Sequence, residues 1–313
     1  MHPHLLRIPL PWGGSFTLAS YGLSILCGFL LAVFIARERA RRAGVDPNAL
    51  FDMCVAMLIG GIVGARIFYV FYDWRTFRYH PLEAFRIDKG GLVFFGGLIG
   101  GGVVMFYVLS KKRIPVRRGL DIVMSVVPLA HAFGRMGCFL NGCCFGRITK
   151  SWVGVRFPRI LEPGTVRDAL YNVDGQHIAG SPVFVQHLDY HYLYNLPGVL
   201  KTELWSRPVH PTQLYAVGYN LLIFAVLSLL LWRRRREGDI AWLYAVLYGT
   251  ARFINEILRD DQLPVFWNLT IAQLICVPLV VFGVVMLVRS SRLPREPFAE
   301  PWKPTQEAVN SKP

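Results

Sequence analysis

Between His131 and Gly146 the chain gathers side chains that can do chemistry. They are one histidine, one arginine (Arg135), one asparagine (Asn141), three cysteines (Cys138, Cys143 and Cys144) and four glycines. The stretch closes an apolar run that begins near Ile122, so it is expected at membrane depth. Ionisable groups there are costly; they usually face the protein interior and mark a functional path. The glycines point to tight packing or irregular backbone, which is tolerated at that depth only where protein or a water-filled cavity surrounds it. Arginine is shaped to grip phosphate or carboxylate. The chemistry on offer is anion binding near a membrane face, with thiols beside the anion.

Other segments carry matching groups. Tyr248, Arg252 and Glu256 are spaced four apart and share one helical face. For the last two, an internal ion pair is the plainer reading. Val209-His210-Pro211-Thr212-Gln213 opens another apolar run, with proline where a first helical turn accepts it. Arg66 follows Gly60, Gly61 and Gly64 and precedes Tyr69, Tyr72 and Trp74, so snorkelling to the interface is its plainer role. Tyr21 lies close to the start of the first apolar run.

The elements that must position these groups follow from composition. Of 313 residues, 53% are hydrophobic and 17% charged, which excludes an ordinary soluble enzyme. Apolar runs near the length of a bilayer-spanning helix, about 20 residues, fall at roughly 17–36, 50–72, 91–109, 119–138, 212–232, 239–258 and 269–288. The net charge of +14 does not form a nucleic-acid patch with interleaved aromatics. Its basic residues sit after the first, third, fifth and seventh runs: Arg37 to Arg42, Lys111 to Arg118, Arg233 to Arg236, and Arg289 to Arg295. By the positive-inside rule those ends are cytoplasmic, which puts the N-terminus outside and the C-terminus inside. The expected fold is an all-α polytopic membrane protein of seven transmembrane helices, residues 1–290, with a small extracytoplasmic insertion at 147–209 and a disordered cytoplasmic tail at 291–313.

Smaller features complete that picture. The first run has its charges after it and no small-residue cleavage site, so it reads as a retained helix. Residues 1–16 read as an outer segment lying on the membrane, and the insertion as irregular and short β structure. Glycine-rich 90–102 predicts close packing or a break at the outer end of the third run. Cys27, Cys54 and Cys276 lie singly in apolar runs and read as small buried residues.

With this topology Tyr21, Arg66, Arg135, Asn141, His210, Gln213, Arg252 and Glu256 come from five runs and all fall toward the outer ends. Three arginines in one low-dielectric leaflet repel unless anions neutralise them. Glu256 supplies one negative charge, and the remaining excess suits a phosphate, most naturally that of a phospholipid headgroup.

At this point the motifs meet a known family. Gly134-Arg135-Met136-Gly137-Cys138-Phe139-Leu140-Asn141-Gly142-Cys143-Cys144-Phe145-Gly146 resembles the signature of bacterial prolipoprotein diacylglyceryl transferases. The resemblance extends to Tyr21-Gly22, Gly64-Ala65-Arg66, the glycine-rich start of the third run, His210 to Tyr215, and Tyr248-Gly249 with Arg252, Phe253, Glu256 and Arg259. It covers about 15–290 in the family's order. It implies a multi-pass enzyme of the bacterial inner membrane that moves the diacylglyceryl group of phosphatidylglycerol onto the lipobox cysteine of a prolipoprotein signal peptide and releases glycerol phosphate. It implies no metal and no organic cofactor. Arg135 and Arg252 match the family's phosphate arginines, while Tyr21, Asn141, Gly146, Tyr248 and Glu256 match positions that shape the same cavity. Arg66, His210 and Gln213 are taken as further phosphatidylglycerol contacts.

The chain departs from the family's best-known branch at four places. Phe95 stands where a histidine is proposed as base, Cys138 where that branch has asparagine, Cys143 where it has glutamate, and Ala216 where a glutamate is usual. A thiolate that attacks a glyceryl carbon needs a proton acceptor. His131, one helical turn before Arg135 and on its face, is the expected replacement. His210 and Glu256 are the other choices.

Rival readings are a membrane thiol oxidoreductase or metal site on the cysteines and His131, a transporter, and a paralogue that binds phosphatidylglycerol but modifies another acceptor. Against the first, Cys-x-x-Cys is absent and adjacent cysteines chelate one metal awkwardly, although a disulfide from Cys138 to Cys143 or Cys144 is open on an oxidising face. Against the second, no repeat relates the two halves.

Overall fold

In the bilayer interior a chain must satisfy its own backbone polar groups, and here the apolar runs do so as helices. The computed structural model describes residues 4–9, 15–86, 91–157, 171–173, 176–178, 183, 186–187, 205–233, 236–261, 265–294 and 301–302. Among these, seven helices of 18 to 26 residues stand at the seven expected places: α1 Ser20–Arg42, α2 Pro47–Tyr72, α3 Phe94–Lys111, α4 Val116–Asn141, α5 Thr212–Leu231, α6 Asp239–Ile257 and α7 Ile271–Ser291. Six are long and apolar enough to cross a membrane. The other, α6, has comparable length but carries Asp239, Arg252 and Glu256.

The distribution of side chains is inverted relative to a water-soluble protein. Phe34, Leu98, Leu222 and Val281 are exposed, while Asp121, Gln213, Asn220 and Glu256 are buried. That is the pattern a lipid-facing surface with a polar interior requires.

The fold is not wholly helical. Antiparallel β1 (His4–Pro9) and β2 (Ser15–Ala19) form a hairpin in which Leu6 pairs with Leu18 and Ile8 with Phe16. A second hairpin, β3 (Tyr171–Val173) and β4 (Gln176–Ile178), lies in the insertion. The expectations for Arg235, for Arg295, and for most of the insertion and tail lie outside the described residues.

The chain divides into two compact units. One comprises 33–124, 234–241 and 294–313. Its helices α2 and α3 meet through glycine: a Cβ on Gly96 would come within 2.5 Å of the Gly64 carbonyl oxygen, so the backbones touch as small-residue spacing allows. The chain enters α3 three residues later than the apolar run begins, because Gly91 takes φ 76° and Val93 N–H donates to the Ala65 carbonyl at 3.1 Å. Fully buried Asp121 accepts from the backbone N–H groups of Gly238 (2.8 Å) and Ala241 (3.0 Å), satisfying orphan donors at the start of α6.

The other unit comprises 1–32, 125–233 and 242–293. It holds the signature stretch, α5, most of α6, and α7. Phe145, Phe157, Val183 and Val209 form a buried core under the insertion, with Phe139 and Val155 against it.

Candidate active site

Helix α4 ends at Asn141, and the chain turns sharply through Gly142 at φ 74° and Cys144 at φ 61°. The turn is held by the entry to α5. Thr212 Oγ1 donates to the Cys144 carbonyl at 2.8 Å, and Gln213 Nε2 donates to the Cys143 carbonyl at 2.8 Å. Gly146 then runs between two other segments: its N–H donates to the His210 carbonyl at 3.0 Å, and it bridges to Arg259. A Cβ at Gly146 would fall 2.7 Å from the Leu258 oxygen and 2.8 Å from both His210 Cβ and its oxygen, so only glycine fits. Gly146, His210 and Gln213 therefore act together as the frame of the signature loop. His210 Nδ1 also lies 3.2 Å from the Tyr215 hydroxyl.

The arginines stand on the walls of this frame. Arg135 Nε donates to His131 Nε2 at 3.1 Å, one turn back on α4. Among the described residues no carboxylate pairs with Arg135. The ring of His131 packs 5.3 Å from that of Tyr248, which stacks on Tyr244 at 5.4 Å. On α6, Arg252 Nη1 meets Glu256 Oε2 at 2.6 Å, the internal pair weighed from the sequence. Glu256 is shared: Arg259 Nη1 approaches Oε2 at 3.5 Å, and Thr270 Oγ1 donates to Oε1 at 3.1 Å. Arg259 in turn forks onto Asp261 at 2.8 and 2.7 Å. Burial works against the Arg259 charge, but the Asp261 carboxylate outweighs it and raises the group above the usual arginine range. Three arginines against two carboxylates leave one positive charge in excess, in a setting too dry for a free cation to be cheap.

Tyr21, at the head of α1, lies against Gly137, where a Cβ would be 3.0 Å from its ring, and within electrostatic reach of Arg135 and the three cysteines. The structure thus brings Tyr21, His131, Arg135, Asn141, Gly146, His210, Gln213, Tyr248, Arg252 and Glu256 into one unit.

Arg66 belongs to the other unit, where its guanidinium is taken up by backbone. It donates to the carbonyls of Glu83 (2.6 Å), Ala84 (2.8 Å), Arg86 (2.9 Å) and Gly91 (3.0 Å). Those donors are taken up by backbone, and through them Arg66 ties the connection between α2 and α3. Phe95 lies in the same unit and is partly exposed.

All six cysteines are free thiols, so neither disulfide weighed from the sequence is formed. Cys276 is buried as a small apolar residue would be, whereas Cys27 is exposed.

Sequence reasoning left out Arg259, Asp261, Thr270 and Tyr219 as site groups. The Tyr219 hydroxyl is buried without a hydrogen-bond partner among the described residues, and it lies within electrostatic reach of Arg135, Arg252 and Arg259. Spacing could have found Arg259, three residues after Glu256, and Tyr219, four after Tyr215, because each continues a polar face already noted.

A helical membrane protein whose interior gathers arginines around an anion-sized excess of charge, beside thiols and a histidine, defines a class of lipid-handling enzyme. A sequence model of the prolipoprotein diacylglyceryl transferases matches residues 8–289, and the chain belongs to that family. Relatives named phosphatidylglycerol–prolipoprotein diacylglyceryl transferase agree along nearly the whole length. That of Symbiobacterium thermophilum is 31% identical over 284 residues, covering 90% of this chain and 92% of the relative. That of Enterococcus faecalis is 31% identical over 299 residues, 94% and 91%. That of Xanthomonas axonopodis pv. citri is 32% identical over 283 residues, 88% of each.

Proposed function

We propose that the chain transfers the diacylglyceryl group of phosphatidylglycerol to the lipobox cysteine thiol of prolipoproteins, forming a thioether and releasing glycerol phosphate. The observation that carries the reading is the excess positive charge around Arg135, Arg252 and Arg259 in a member of a diacylglyceryl transferase family.

The reaction is a displacement at a glyceryl carbon. The acceptor sulfur bonds to that carbon, the carbon–oxygen bond to phosphate breaks, and the phosphate oxygen keeps the electron pair. Cations already aimed at that oxygen stabilise the charge as it develops. Arg135 and Arg252 grip the phosphate, and Glu256, braced by Arg259 and Thr270, holds Arg252 in line. Tyr21, Asn141, Tyr248 and Tyr219 line the headgroup site, and Gly146, His210 and Gln213 keep the signature loop in shape. The thiol proton goes to His131. Its Nε2 lone pair accepts from Arg135 Nε and becomes available once Arg135 turns to phosphate. Arg66 supports the enzyme through the α2–α3 connection rather than through the lipid.

This reading sets the chain in the bacterial inner membrane with seven spans, α6 included, the N-terminus and the 147–209 insertion outside, and the C-terminus in the cytoplasm. The transfer step itself calls for no metal or organic cofactor.

The test is complementation of a bacterium depleted of its own transferase, combined with assay of the purified protein on phosphatidylglycerol and a lipobox peptide. The expected result is growth and a thioether-linked diacylglyceryl peptide. Consumption of phosphatidylglycerol without modification of the peptide would move the assignment to a paralogue with another acceptor.

A further inference from the structure

The three thiols beside Arg135 have no part in the displacement, yet the fold spends strain to assemble them. Cys144 carries a β-carbon at φ 61°, a left-handed conformation that crowds it against the following carbonyl oxygen. It persists because Thr212 and Gln213 pin the carbonyls of Cys144 and Cys143, while Cys143 N–H donates to the Cys138 carbonyl at 3.1 Å. The turn swings two adjacent cysteines toward a third, so the sulfurs of Cys138, Cys143 and Cys144 all lie within 4.8 Å of one another. This removes the objection that neighbouring cysteines chelate one ion awkwardly.

Cys138 is buried and the other two are half-buried. A thiolate, not a thiol, is the metal ligand.

We propose that Cys138, Cys143 and Cys144 form a trigonal all-sulfur site for a soft monovalent cation, Cu(I). Among the described residues the ligand set contains three thiols and no imidazole or carboxylate. Zinc favours four ligands in a tetrahedron, whereas thiolates alone select soft Cu(I). Metal–sulfur bonds of about 2.3 Å bring sulfurs to roughly 4 Å apart, a closure that side-chain rotation can supply. The inference does not depend on the acceptor assigned under the proposed function.

The experiment titrates the reduced full-length chain in detergent, under anaerobic conditions, with Cu(I) against the chelator bicinchoninate. One Cu(I) per chain is expected, with only sulfur neighbours by X-ray absorption. Cys138→Ser, Cys143→Ser and Cys144→Ser should each weaken binding at least 100-fold, and Cys27→Ser should leave it unchanged. A readout free of folding effects is alkylation of the parent protein: bound Cu(I) should protect these three thiols and leave Cys27 reactive. Less than stoichiometric Cu(I), preferential uptake of Zn(II), binding that survives Cys143→Ser and Cys144→Ser, or a disulfide among the three in protein isolated without reductant each overturns the proposal.

Discussion

The difference between Arg135 and Arg252 is one of commitment. Arg135 Nε bonds a neutral ring, and no described carboxylate pairs with it, whereas Arg252 is locked onto buried Glu256. Arg135→Ala should therefore lower kcat by roughly 100-fold or more with the melting midpoint unchanged. Arg135→Lys should recover little, because a point charge cannot fork onto phosphate. Arg252→Ala removes a partner of a buried carboxylate and should also cost about 3–5 kcal/mol of stability. Its catalytic role is better read from Arg252→Lys, which should keep the fold and lose turnover. Full activity in Arg252→Lys would reduce Arg252 to an ion-pair partner. A second residue-scale effect belongs to His187, fully buried, edge-on to Phe145 and accepting from Arg207 N–H at 3.2 Å. Burial, then the Arg207 charge, pushes it down to about 4 from an ordinary 6.5. Between those values the unfolded chain binds a proton that the folded chain refuses. Stability is thus full above pH 6.5 and drains away as pH falls toward 4, by about 3 kcal/mol in all. Melting midpoints recorded from pH 7 to pH 4 should show this slope in the parent and a flatter one in His187→Asn.

At the scale of elements, Arg66 is the test of how the α2–α3 connection is built. Its four charge-assisted bonds to carbonyls at 83–91 have no replacement if the side chain is cut back. Arg66→Ala should loosen the connection by about 2–4 kcal/mol and speed tryptic cleavage at Arg75, Arg78 or Arg86; an unchanged digestion rate would contradict the role. This residue also marks where sequence reading stops. Helices α1 to α7 were legible because an apolar run of bilayer length leaves the backbone no alternative, and the basic clusters punctuate it. Arg252 and Glu256 were legible because a four-residue spacing fixes which side chains meet. The destination of Arg66 was not, since it depends on a loop folding back 17 to 25 residues later. Nor was the clustering of Cys138, Cys143 and Cys144, which turns on the left-handed backbone at Cys144, a conformation that residue type does not announce. The reach of Asp121 across 117 residues to the start of α6 leaves no local pattern either.

For the whole molecule, the basic ends of α1, α3 and α7 carry Arg39, Arg41 and Arg42, then Lys111, then Arg289. The proposed topology sets these ends on one side, which the positive-inside rule assigns to the cytoplasm. Reporter fusions after Arg42, Lys112 and Arg292 should read cytoplasmic, and one at Gly180 extracytoplasmic. A cytoplasmic signal at Gly180 would reverse the orientation and detach the arginine cluster from the outer leaflet.

On the proposed mechanism, the bond from Arg135 to His131 works as an interlock. As long as Arg135 holds Nε2, the histidine lone pair proposed to receive a proton is engaged, and a lipobox peptide that arrives then finds no base. On that mechanism lipid comes before peptide, and the bond keeps the enzyme from activating passing thiols that water or oxidants could divert. A non-reactive phosphonate analogue of phosphatidylglycerol should make this visible. With it bound, the enzyme should accelerate alkylation of a lipobox peptide by iodoacetamide; without it, the enzyme should do nothing to that rate. Equal acceleration in both cases would remove the interlock, and in His131→Gln the analogue should have no effect at all.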